Sequence, residues 1–161
     1  MEGNLAVILT SIAAFAAAAQ NPSGARQQAI VIMPEHPQQR QLQEQYGYAD
    51  AVVSNGIVYL SGLPTYLAPG ETDMEKAFTR TFEALGKILN RAGVTWDDVV
   101  EVRSVHTDPN AQIDAMVKVK HRYMKGKQPA WTAVGTNGLL QPGGIAEITL
   151  VAHIPQKTEN K

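Results

Sequence analysis

The chain has 161 residues, of which 44% are hydrophobic and 18% are charged, and its formal net charge is −1. These values are typical of one globular domain with a short leader, and they lack the basic excess of most nucleic-acid-binding proteins. The absence of cysteine excludes disulfide bonds, thiolate metal ligands and a cysteine nucleophile.

The N-terminal segment differs in composition from the rest of the chain. Residues 5–19 carry no charge and are mostly Leu, Ile, Val and Ala, and they are fewer than the about 20 residues that a membrane span needs. They end in Ala17–Ala19, a run of small residues that suits signal peptidase. We therefore expect residues 1–19 to be a signal peptide, despite Glu2 in the usually basic first segment. The alternative is an alanine-rich helix of the mature protein.

Residues 20–45 are predicted to form an N-terminal strand and a loop. The apolar run 29–33 suits a strand that Pro34 ends, and the Gln-rich stretch 37–45 suggests a surface loop or an irregular turn of helix. An Asn-Gly pair at positions 55 and 56 then predicts a hairpin, because both residue types tolerate a positive φ. Residues 63–70 contain two prolines and a glycine, and predict a loop.

Two amphipathic helices are predicted in the second half of the chain. The first follows the capping-box pattern Thr72-x-x-Glu75, and its apolar residues recur at helical spacing as far as Ala92. The second begins at Asp108-Pro109 and ends at Gly126. A short turn is predicted at 95–98 between the first helix and a strand at 99–107. Two further strands are predicted after the second helix, at 131–136 and 145–154.

This order of elements predicts a single α+β domain with two helices on one face of a sheet. The other face of so small a sheet needs cover, for which a partner subunit is the natural source. Four histidines are present, but none has metal-ligand spacing, so no metal site is expected.

Glu147 is the first candidate for a catalytic group. The alternate residues of strand 145–154 are apolar, so Glu147 points to the opposite face of the sheet. A lone carboxylate there suits a general acid or base, although an exposed or ion-paired glutamate is the alternative. Trp131 at a strand start is either core packing or the aromatic wall of a ligand pocket.

Five segments in the right order and spacing resemble the RidA (YjgF/UK114) family: 48–52, 56–62, 92–100, 129–130 and 145–148. The resemblance implies a chorismate-mutase-like protomer with a mixed sheet, assembled as a homotrimer around a central β-barrel. It further implies small-molecule pockets between subunits and hydrolysis of enamines or imines to a keto acid and ammonia, without a cofactor. The implied domain is 46–155, followed by a flexible tail at 156–161.

The resemblance also implies roles for individual residues. Glu147 matches the glutamate that orients or activates water, and Tyr48 and Gly62 match residues that shape the pocket. Trp131, however, stands where the family's imine deaminases carry the Arg that holds the substrate carboxylate. Lys120 is a candidate to supply a cation in its place, since an indole offers one N–H and no charge.

Two functions follow from the resemblance. The first is a hydrolase or deaminase for a small metabolite other than the usual amino-acid-derived imines. The second is a non-catalytic trimer that binds a small molecule or a protein. Neither nucleic acid nor, after processing, a membrane is an expected partner. The protein is expected in the periplasm or secreted, or in the cytoplasm if the leader is not a signal.

Export is directly testable. Expressed with its own leader in a Gram-negative host, the protein should be recovered without roughly its first 19 residues, within the usual length of a signal peptide. Mass spectrometry of the periplasmic and cytosolic fractions reads the N-terminus. An intact N-terminus in the cytosol would contradict the prediction.

Overall fold

The computed structural model of the protein describes residues 24–155. The predicted signal peptide, 1–19, and the predicted tail, 156–161, lie outside this range. The described chain begins with helix α1 (Ala25–Gln28), strand β1 (Ile30–Ile32) and helix α2 (Pro37–Tyr46). The prediction of a loop or an irregular turn after β1 is therefore wrong. Pro37 occupies the first helical position and Gly47 ends the helix with a φ of 73°, and both features favour a regular helix.

The predicted hairpin is confirmed as strands β2 (Ala51–Ser54) and β3 (Ile57–Leu60). Its turn residues Asn55 and Gly56 have φ values of 51° and 74°. Strand β4 (Leu63–Tyr66) lies where a loop was predicted. Its proline is tolerated because β4 pairs with a single neighbouring strand, and an edge strand can lack one N–H donor.

The two predicted helices are confirmed as α3 (Met74–Arg91) and α4 (Pro109–Tyr123). The N-cap of α3 is Asp73, whose side chain accepts from the Lys76 N–H, so the capping box predicted at Thr72 is wrong. A capping box is instead present at Thr95 and Asp98, which are the N-cap and the last residue of the short 3₁₀ turn Trp96–Asp98. Asp108 caps α4 as predicted by accepting from the Ala111 N–H.

Strand β7 (Gly144–His153) is the centre of a seven-stranded mixed sheet. Strands β3 and β4 pair with successive halves of one edge of β7, and β5 (Val99–His106) pairs with the other edge. These pairs are antiparallel, whereas β5 and β6 (Ala130–Gly135) are parallel. The strand order is β1-β2-β3-β7-β5-β6, with β4 beside β7.

Helices α3 and α4 pack against each other over one face of the sheet, as an α+β fold requires. The core between helices and sheet includes Phe78, Phe82, Leu85, Met116 and Ile148. Within residues 24–155, no helix is long and apolar enough to cross a membrane.

The second face of the sheet is uncovered in the single chain. It carries Tyr59 and Val134, each close to half exposed, and the exposed Arg103. A depression of about 480 Å³ lies on this face and is lined in part by Tyr59, Arg103 and His153. An apolar and charged surface of this kind fits contact with another protein chain better than contact with water alone.

Candidate functional site

Glu147 points to the uncovered face of the sheet, as the sequence pattern predicts. Its neighbours on β7, Ala146 and Ile148, are fully buried on the helix side, so the period of two in the strand turns Glu147 the other way. Its cross-strand partners are Pro64 on β4 and Val105 on β5. The carboxylate is therefore held at the middle of the sheet, where the backbone is fixed on both sides.

Gly62 makes room for the Glu147 side chain. A Cβ atom added at Gly62 would overlap the carboxylate and lie 2.8 Å from the Glu147 Cγ. The φ of Gly62 is not positive, so the demand for glycine comes from this close approach and not from the backbone. Two residues that the family resemblance assigns to one site are thus in contact.

The Glu147 carboxylate has no hydrogen bond and no ion pair within the described part of the chain. The residue is partly buried, and the similarly buried Glu101 on β5 differs from it in having a partner, Arg103. A carboxylate that is partly removed from water and has no protein partner can accept hydrogen bonds from a ligand or a water molecule.

Tyr66 is a neighbour of Glu147 that the sequence did not reveal. It lies on β4 two residues beyond Pro64, which is directly opposite Glu147. Burial raises the pKa of the Tyr66 hydroxyl, and the negative charge of Glu147 raises this pKa further. Its strand was predicted as a loop because of its proline, so no alternation was sought there.

Trp131 lies on the opposite face of the sheet from Glu147. Its strand partner is the fully buried Val102, and its indole N–H donates to the Ser104 hydroxyl at 3.0 Å. The Lys120 ammonium lies 5.4 Å from the centre of the Trp131 ring, within the range of a cation–π contact. Trp131 and Lys120 are therefore in contact, on the face of the sheet that the helices cover.

The surroundings of Lys120 are unusual for a buried cation. Only 4% of the residue is exposed, and burial lowers the pKa of the ammonium. Its hydrogen-bond partner within residues 24–155 is the side-chain amide oxygen of Gln128, Oε1, 2.9 Å away, and no carboxylate pairs with it there. A buried ammonium that lacks an acidic partner is costly, and the cation–π contact with Trp131 offsets part of this cost.

Behind Trp131, buried polar side chains continue the hydrogen-bond chain. Ser104 is 2.9 Å from His106 Nε2, and His106 Nδ1 is 3.2 Å from the Gln112 side chain. Burial lowers the pKa of His106, so the imidazole is held neutral between two polar partners. The Trp131 indole is thus fixed in position by groups that themselves have partners.

The predicted site residues therefore form two separate groups within one chain. Gly62 and Glu147 are in contact on the uncovered face, whereas Lys120 and Trp131 are in contact on the helix face. Tyr48, which precedes β2 and is partly exposed, has no hydrogen bond or ring contact with either group in the described structure. The same 132-residue range, 24–155, contains no group of three or more His, Asp or Glu side chains that could hold a metal ion.

Comparison with known proteins identifies the fold and the family. The family model described as Endoribonuclease L-PSP matches residues 38–154. The RutC family protein YjgH of Escherichia coli (strain K12) is 33% identical over 119 residues, which cover 72% of this chain and 89% of the relative. The chain belongs to the RidA (YjgF/YER057c/UK114) family. The resemblance seen in the sequence is confirmed.

Solved structures of RidA-family proteins agree with the fold. A structure of protein YjgH, 30% identical, gives a TM-score of 0.65 and covers 80% of this chain and 98% of its own. Rv2704 of Mycobacterium tuberculosis, described as a member of the YjgF/YER057c/UK114 family, is 21% identical with a TM-score of 0.67, and the match covers 78% and 99% of the two chains. The second comparison shows the fold alone.

The contact between Gly62 and Glu147 can be tested by a single substitution. We expect Gly62→Ala to rotate the Glu147 side chain away, because the added methyl group overlaps a flexible carboxylate and not the backbone. The free energy of unfolding should change by no more than about 1 kcal/mol. Crystal structures of this variant and of Gly138→Ala, whose added Cβ meets nothing within 4 Å, provide the comparison. An unmoved carboxylate in Gly62→Ala would contradict the prediction.

Proposed function

We propose that the protein is a RidA-family hydrolase that acts on the C=N bond of a small enamine or imine. The observation that carries this proposal is the Glu147 carboxylate, which is partly buried against Gly62 and has no partner within residues 24–155. A carboxylate in that position can accept a proton from a water molecule as the water attacks an electrophilic carbon. The proposed reaction needs no cofactor.

We propose that the complete pocket forms between two subunits of a homotrimer. Within one chain, Glu147 and Trp131 lie on opposite faces of a continuous sheet, so side-chain motion cannot bring them to one ligand. The uncovered face with Tyr59, Val134 and Arg103 supports contact with further copies of the chain. A second subunit then supplies the Trp131 group to the Glu147 group of the first.

The Trp131 group favours a substrate different from the usual amino-acid-derived imines. An Arg offers a carboxylate two parallel hydrogen bonds, whereas the only N–H of the Trp131 side chain already donates to Ser104. The ring presents an apolar surface, and the Lys120 ammonium behind it is almost completely buried. We therefore propose an uncharged or aromatic imine or enamine as the substrate.

The second candidate is a non-catalytic trimer that binds a small molecule or a protein. It is favoured by the absence of the family's Arg at position 131, since the remaining residues still form an apolar pocket wall with few polar groups. The two candidates differ in the effect of Glu147→Gln. The substitution abolishes turnover in a hydrolase, whereas a binding module has no turnover to lose.

For either candidate we propose the periplasm or the exterior of the cell as the location.

The rate of imine hydrolysis tests the proposed function. The protein should hydrolyse 2-iminopropanoate about 10- to 100-fold less efficiently than a relative with Arg at position 131, because it lacks one charge-assisted hydrogen bond to the carboxylate. Trp131→Arg should not restore this rate, because the guanidinium would enter a site shaped around an indole between Ser104 and Lys120. Glu147→Gln should abolish any turnover.

These effects are measured as kcat/KM on one imine, generated in place by an amino-acid oxidase. Glu83→Gln, at an exposed carboxylate on α3, is the control and should keep the wild-type rate. Wild-type rates that equal those of an Arg-containing relative would show that the missing Arg is not decisive. Unchanged turnover in Glu147→Gln would remove the basis of the proposed function.

The mass of the protein in solution tests the proposed homotrimer. Light scattering on the mature protein should give about three times the mass of the chain, as expected for a closed cyclic assembly. Val134→Glu, which places a charge on the uncovered face, should shift the protein toward monomers, because a contact between subunits would bury this side chain. Leu42→Glu, at a similarly exposed position on α2, is the matched comparison and should leave the mass unchanged. A clean monomer of the wild type at micromolar concentration would contradict the prediction.

A further inference from the structure

Tyr66 and Glu147 lie on the same face of the sheet, on adjacent strands. In β4, Leu63 packs on the core and Thr65 is fully buried, so the alternate residues Pro64 and Tyr66 face the other way. Pro64 is directly opposite Glu147, which makes Tyr66 a diagonal neighbour of the carboxylate. Diagonal neighbours on adjacent strands are within reach of aromatic and long side chains.

The backbone holds Tyr66 in a defined position. A register shift between Thr65 and Tyr66 places Tyr66 opposite Gly144. Arg80 donates to the Tyr66 carbonyl oxygen at 3.0 Å and is itself held by two hydrogen bonds to the Glu71 carboxylate. Such bulges often re-aim a side chain next to an active site.

The Tyr66 hydroxyl and the Glu147 carboxylate are both available to a ligand. Neither group has a hydrogen-bond partner within the described residues, and no hydrogen bond joins the two. Because burial and the charge of Glu147 both raise the pKa of Tyr66, its hydroxyl stays protonated at neutral pH. The Glu147 carboxylate is therefore a proton acceptor and the Tyr66 hydroxyl a proton donor, on adjacent strands of the sheet.

We propose that Tyr66 is the catalytic proton donor to the substrate nitrogen in the reaction for which Glu147 is the base. This inference rests on the proposed hydrolase function and adds a second catalytic group to it. The residue belongs to β4, so the donor and the base are both on the same subunit.

The proposed step balances in protons and electrons. Glu147 takes one proton from water while the water oxygen bonds to the carbon of the C=N group, and Tyr66 gives its proton to the nitrogen. In the resulting carbinolamine, Glu147 passes its proton to the nitrogen, the C–N bond breaks, and the hydroxyl proton returns to the tyrosinate. The products are a carbonyl compound and ammonia, and both side chains regain their original states.

Tyr46 is a control tyrosine away from the sheet. It is the last residue of α2, and 67% of it is exposed against 40% of Tyr66. Replacement of either tyrosine by phenylalanine keeps the ring and removes only the hydroxyl. A loss specific to Tyr66→Phe therefore reports on the hydroxyl next to Glu147.

The test compares wild type, Tyr66→Phe, Tyr46→Phe and Glu147→Gln on an uncharged imine, with kcat and KM measured as functions of pH. Tyr66→Phe should lower kcat about 100-fold with little change in KM, since general acid catalysis contributes factors of this size. Its remaining rate should fall with rising pH as the substrate nitrogen loses its own proton. The wild type should hold its rate to higher pH, and Tyr46→Phe should behave like the wild type.

Each outcome decides between the claims. If wild type turns over and Glu147→Gln does not, but Tyr66→Phe matches Tyr46→Phe, the role of Tyr66 is wrong and the proposed function stands. If Tyr66→Phe loses the same factor at every pH, its role is structural and the inference is also wrong. If wild type shows no turnover of imines, or Glu147→Gln retains it, both the proposed function and this inference fail.

Discussion

Strand β7 is the constraint on which the rest of the structure depends, because it is paired on both edges and its residues alternate strictly between two faces. Ala146, Ile148 and Leu150 complete the core under the helices. The period of two then requires Glu147 to face away from that core. A shift of the register by one residue would bury the carboxylate and expose the apolar set, so the hydrophobic core itself fixes the position of Glu147.

The same constraint separates Glu147 from the residue that replaces the family's Arg. Trp131 shares the face of Val102 and Ser104, and the indole is held there by a hydrogen bond and by the Lys120 ammonium. We propose that Trp131 changes the half of the site that faces the helices and leaves the Glu147 half as it is. In our account, selection of the substrate and activation of water reside on different faces of the sheet and meet through a second subunit.

The sequence predicted the elements that have strong periodicity and failed where local signals competed. Helices α3 and α4, the Asn55-Gly56 hairpin and strand β7 were predictable, because each combines a regular apolar pattern with a turn or cap residue. The prolines at the starts of α2 and β4 suggested loops, although one occupies a first helical position and the other an edge strand. The family resemblance assigned Gly62 and Glu147 to one site, but their contact is seen only in the structure. The other neighbours of Glu147 and those of Lys120 depend on register and helix packing, which the sequence does not specify.

The central claim is that the Glu147 half and the Trp131 half meet only across a subunit boundary, and cross-linking tests it without reference to activity. The chain has no cysteine, so Tyr66→Cys and Ala133→Cys each introduce a single thiol. Ala133 is exposed and lies two residues after Trp131 on β6, on the same face of the sheet. Tyr66 lies next to Glu147. When the two single-cysteine variants are assembled together, a short bis-maleimide should yield a product of twice the chain mass. An assembly of one variant alone should yield no such product. A doubly substituted chain that cross-links only to itself would contradict the account.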